Sequence, residues 1–109
     1  MKKYSVALLA LLPLTVLAAY PIEVTKELGE GIKLDTTAYD TANDMSTITL
    51  ENYGDTAASC RVTFRNGPET PRVRRVDVPA KKSLDVTANF NKQIITMRIL
   101  VDCKAQQAN

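Results

Sequence analysis

The sequence predicts an all-β domain: a seven-stranded, immunoglobulin-like sandwich with one buried disulfide, preceded by a cleaved signal peptide. Three observations predict it. Short apolar runs of period two recur about every ten to twelve residues, separated by clusters of Gly, Pro, Asn and Asp. The two cysteines, Cys60 and Cys103, share strand parity with the apolar residues around them. Beyond the leader, no long stretch holds the 3.6-residue apolar period of a helix.

The leader comes first. Met1-Lys2-Lys3 precedes an apolar run from Val6 to Leu17, and Ala18-Ala19 stands just before Tyr20-Pro21. A basic start, an apolar middle and small exit residues make a secretory signal peptide, with the cut expected after Ala19. The run is about 12 residues long and broken by Pro13, well short of the roughly 20 that cross a bilayer. A transmembrane anchor is therefore not expected. No Cys follows the run to accept a lipid, so the expected location is the periplasm or the medium. Residues 20–109 then form a single small domain.

The seven runs are Ile22–Lys26, Ile32–Tyr39, Ser46–Tyr53, Ala57–Arg65, Val73–Val78, Ser83–Asn89 and Ile94–Cys103. Turns are expected between them, notably at Leu28-Gly29-Glu30-Gly31, Asn52-Tyr53-Gly54-Asp55, Asn66-Gly67-Pro68 and Pro79-Ala80-Lys81-Lys82. Two packed sheets suit a buried bridge between the fourth and seventh runs better than the alternative, a small Greek-key barrel. With no Trp in the chain, Phe64, Phe90 and one or more Tyr must fill the space around the sulfurs.

An even cysteine count in an exported chain reads as a disulfide. Cys60 alternates in phase with Val62 and Phe64, and Cys103 with Ile95, Met97, Ile99 and Val101, so both sulfurs should point inward. A redox-active pair would instead want a local Cys-x-x-Cys and an exposed thiolate.

The formal charge of +2 comes from Lys2 and Lys3, leaving 12 basic and 12 acidic residues after the leader. These are unevenly spread. Residues 20–59 hold two Lys against eight acids, whereas residues 60–109 hold ten Lys and Arg against four acids. Acidic strands lying beside basic ones would neutralise this asymmetry; a polyanion-binding face is the alternative.

The strings LENYGDTAASCRVTFRNGPE, VDVPAKKSLDVTANF and IITMRILVDC carry an Asn-x-Gly turn and a Val-Pro-x-x-x-Ser turn, each leading into a strand. On these, nearly the whole chain resembles a family of small exported bacterial immunoglobulin-like proteins of unknown function, some of which bear the name 3-phosphoglycerate kinase. The resemblance implies no catalytic or binding residues. The kinase name conflicts with the chain, because phosphoryl transfer needs a phosphate cradle, a metal site and usually two closing lobes. Gly29-x-Gly31 sits in a short turn with no helix after it.

The chain has no His, which removes the commonest general base and transition-metal ligand. Bridged cysteines supply no thiol nucleophile. No catalytic set, cofactor or metal site is therefore expected. Asp35, Asp40, Asn43 and Asp44 form the densest acidic stretch but lack the order of a calcium loop. Arg61, Arg65 and Arg75 fall on the outward parity of neighbouring runs, making a candidate anion-binding strip for phosphate or sulfate groups of an envelope glycan or lipid. No aromatic alternates with these cations to stack on bases, so nucleic acid is not an expected partner. The expected function is binding or structural, with a protein, glycan or lipid partner. A small carboxylate-based hydrolase or the kinase is the alternative.

Overall fold

The computed structural model describes residues 20–106, and the leader assigned to residues 1–19 lies outside the described residues. Seven strands and no helix occur among them: β1 (Ile22–Leu28), β2 (Leu34–Ala42), β3 (Met45–Asn52), β4 (Ala58–Asn66), β5 (Arg72–Val78), β6 (Ser83–Asn89) and β7 (Met97–Ala105). Each of the seven runs read from the sequence overlaps one strand, with edge residues such as Ile32–Lys33 of the second run and residues 94–96 of the last falling outside. Thr, Val and Ile populate them, and such side chains pack well on a pleated, half-buried surface.

The strands form two separate sheets rather than a closed barrel. Sheet A has the order β1-β7-β4-β5 and sheet B the order β2-β3-β6. β1 runs parallel to β7; the other pairings are antiparallel. Alternation then places one face of each sheet in a common core. Ile48 and Leu50 come from sheet B, and Val62, Phe64, Met97, Ile99 and Val101 from sheet A, each at most 2 % exposed. Tyr20 and Phe90 complete the aromatic filling with Phe64.

Tyr20 anchors the chain before β1. Its hydroxyl donates to the Met45 carbonyl and lies 2.6 Å from Ser46 Oγ. Burial pushes its pKa up, the Ser46 hydrogen bond opposes this, and the Asp40 and Asp44 carboxylates add to the rise. The phenol stays protonated as a donor.

The bridge joins Cys60 to Cys103, and both cysteines are buried. It joins the fourth and seventh strands, as expected, and it lies within one sheet rather than between the two. β4 and β7 are neighbours in sheet A, and the two cysteines are direct register partners with Cα atoms 4.1 Å apart. Opposed residues on antiparallel strands project to the same face at about this separation, whereas stacked sheets lie about 10 Å apart.

A second correction concerns the start of β7. Ile95 was expected on the inward row, yet it is 72 % exposed while Ile94 is buried. The Ile94 amide donates to the Asn43 carbonyl and the Phe90 amide to the Asp44 carbonyl. Residues 90–94 thus cap the β2–β3 hairpin, and regular alternation begins only at Met97.

The Asn-x-Gly turn has a clear physical basis. Asn52 is 1 % exposed, and its side-chain oxygen accepts from the Gly54 amide while its Nδ2 donates to the Thr56 and Val78 carbonyls. A buried amide with every partner met fixes a loop geometry that an apolar residue could not hold. In the next turn Lys81, at φ 66°, occupies the left-handed position. Its Nζ reaches the Tyr53 carbonyl and Asp55.

Candidate anion-binding face

The charge imbalance along the sequence becomes a difference between sheets. The strands of sheet B carry Asp35, Asp40, Glu51 and Asp85 and no Lys or Arg. Those of sheet A carry Lys26, Arg61, Arg65, Arg72, Arg74, Arg75, Arg98 and Lys104 against Glu23, Glu27, Asp77 and Asp102. The acidic strands β2 and β3 pair with each other and with β6, so they do not neutralise the basic strands β4 and β5. The sandwich has one acidic and one basic side.

Register arranges the outer face of sheet A in rows. In one row Asp102 opposes Arg61, which opposes Arg75. In the next, Leu100 opposes Thr63, which opposes Val73. In a third, Glu23 opposes Arg98, which opposes Arg65. Arg61, Arg65 and Arg75 are all exposed, so the residues named from the sequence share one face. The first and last of them are nearest neighbours across strands. Arg98 was not named, although it stands on the outward parity of the last run, which was the signal available; Lys104 lies one residue beyond that run, where β7 continues to Ala105.

Directly opposed like charges destabilise a sheet, and this face contains two such pairs, Arg61 with Arg75 and Arg65 with Arg98. Arg98 has a partner in Glu23, at 3.4 Å. The Arg61–Arg75 pair lines a concavity of about 400 Å³ with Ser59, Asp102 and Lys104. Three cations against one carboxylate, on a shallow, solvent-open surface, suit a multivalent oxyanion. Planar guanidinium groups bind such anions through paired donors.

Arg72 and Arg74 lie within β5. They oppose Phe64 and Val62, on the inward parity. The Arg72 guanidinium carbon sits 4.8 Å from the Phe90 ring centroid, and Nε donates to the Asn89 carbonyl. Arg72 closes the end of the core and is not free for a ligand.

Glu69 holds the adjoining loops together. It accepts from the Asn91 and Lys92 amides and from Asn66 Nδ2, with Arg72 at 3.6 Å. Burial acts to raise its pKa, but these donors and the guanidinium outweigh it and hold the carboxyl below the usual glutamate range. A carboxyl depressed on folding adds stability above its unfolded pKa and loses it as pH falls through the folded one. Melting measured from neutral to strongly acidic pH should therefore fall less steeply for Glu69→Gln than for the wild type. Parallel profiles would refute that role.

The acidic stretch does not assemble. Asp35 and Asp40 are register partners of Glu51 and Ser46 respectively, on opposite parities of β2, and Asn43-Asp44 form the hairpin turn. Among the described residues no three His, Cys, Asp or Glu side chains are grouped to hold a metal ion, and no helix is long and apolar enough to cross a membrane. Compared with known proteins, the chain matches no family model, no curated protein and no solved structure.

Proposed function

We propose that this chain is an exported, immunoglobulin-like binding module that engages an anionic envelope partner through the outer face of sheet A. The observation that carries this reading is the Arg61–Arg75 pair, like charges opposed in register and lining a concavity with Lys104. The immunoglobulin likeness is supported by the strand path: hairpin β2–β3 in one sheet, hairpin β4–β5 in the other, then β6 returning beside β3 and β7 beside β4. The buried bridge and the secretory layout of the leader support export.

Titration with inorganic phosphate, followed residue by residue by NMR, tests the reading. Shifts should cluster at Arg61, Arg75 and Lys104. The double variant Arg61→Gln/Arg75→Gln should bind about tenfold more weakly or worse, since a charged hydrogen bond contributes about 1.5–3 kcal/mol. Relief of like-charge repulsion should leave that variant at least as stable as the wild type. Shifts scattered over all surface cations would count against the proposal.

A further inference from the structure

Resting on that reading, we infer that the ligand carries two phosphate groups joined by an apolar spacer, and that sheet A holds one at each end of a neutral row. The two like-charge pairs are not adjacent. Arg61 and Arg65 stand four residues apart on β4, about 13 Å along an extended strand. Each lines its own concavity: the first of about 400 Å³, with Arg75 and Lys104, the second of about 220 Å³, with Arg98 and Glu23.

Between them runs the row Thr25, Leu100, Thr63 and Val73. It has no charged side chain, Val73 is 45 % exposed, and Thr63 is 8 % exposed. Glu23 offsets Arg98 but not Arg65, so a single small anion at the Arg61–Arg75 concavity would leave the surplus charge of Arg65 unmatched. A uniformly charged polymer would set charge against Leu100 and Val73. A bis-phosphorylated amphiphile satisfies both pairs and covers the row. The acids on this face set the orientation, because Glu23, Glu27 and Asp102 lie on β1 and β7 and Asp77 lies on β5, whereas the charged residues of β4 are Arg61 and Arg65 alone. The phosphates should therefore track β4.

The test uses the folded chain and a series of alkanediyl bisphosphates, from ethane-1,2-diyl to dodecane-1,12-diyl, with octyl phosphate as the single-headed control. Calorimetric affinity should peak at intermediate length, near octane-1,8-diyl bisphosphate, and exceed that of octyl phosphate by about tenfold or more, as tethering a second contact provides. Arg65→Gln should remove that gain and leave octyl phosphate binding unchanged, whereas Arg61→Gln should weaken both. Melting curves of each variant confirm that it is folded. Equal affinity for one and two phosphates, or no dependence on spacer length, overturns the inference and leaves the anion-binding proposal standing. Failure of octyl phosphate and all bisphosphates to bind overturns both. A heparin hexasaccharide that binds more tightly, irrespective of Arg65, overturns the apolar spacer.

Discussion

Opening the Cys60–Cys103 bridge should lower the stability of this domain by about 4 kcal/mol, the loop-closure value for a cross-link of this span. The bridge joins positions 43 apart in sequence, and most of the chain between β4 and β7 lies inside the loop it closes. For a domain of this size a loss of 1 kcal/mol moves the melting temperature by roughly 4–8 °C, so the shift should reach roughly 15–30 °C. Thermal unfolding of wild-type protein with and without tris(carboxyethyl)phosphine measures it. The Cys60→Ala/Cys103→Ala variant should behave like the reduced protein, with a small added cost for the lost sulfur packing. Because the bridge lies within sheet A, the ladder between β4 and β7 still fixes their register, and reduced protein in the cold should retain its β circular dichroism. A shift of only a few degrees would show that the unfolded chain gains little freedom on reduction.

Truncating Phe64 should cost about 3–5 kcal/mol, the range for removing a fully buried aromatic side chain. Phe64 is 0 % exposed and sits on β4, the strand of sheet A flanked by both β7 and β5. Its register partners are Ile99 and Arg72, and Arg72 in turn covers Phe90. A cavity at position 64 therefore undercuts the sheet and also the arginine that closes the end of the core. A whole domain of this length has only about 4–13 kcal/mol to lose, so Phe64→Ala should lose about a quarter or more of its total stability. Phe64→Leu, which retains most of the volume, should cost about 1 kcal/mol and remain folded. Urea unfolding gives both values. A cost below 1 kcal/mol for the alanine variant would mean that Phe64 does not fill the inter-sheet space. Positions 60 and 64 are about 13 Å apart along the strand, so these two losses should add to within about 0.5 kcal/mol.

The two predictions show how differently local and long-range information were readable. The alternation Cys60, Val62, Phe64 against Arg61, Thr63, Arg65 shows which side chains face inward, and the burial of those residues follows it, apart from Thr63, which neighbouring strands cover on the outer face. Alternation misled at Ile95, because the hydrogen bonds from Phe90 and Ile94 to the β2–β3 turn bend that segment out of the ladder. Asn52 reads as a turn residue, and Glu69 follows the Asn66-Gly67-Pro68 turn. Their roles depend on carbonyls and amides supplied by Val78, Asn91 and Lys92, far away in sequence.

Strand positions, inward-facing residues, cysteine pairing and the outward placement of Arg61, Arg65 and Arg75 were contained in the sequence, because each follows from a period-two pattern spanning a few residues. The parallel docking of β1 on β7, the placing of both cysteines in one sheet, the opposition of Arg61 to Arg75 and the division into a basic and an acidic side came only with the tertiary structure. Those features depend on which strand lies beside which and in what register. Backbone hydrogen bonds are alike for every residue, so neighbour and register are chosen by the joint packing of the whole core, and no short stretch of sequence encodes that choice.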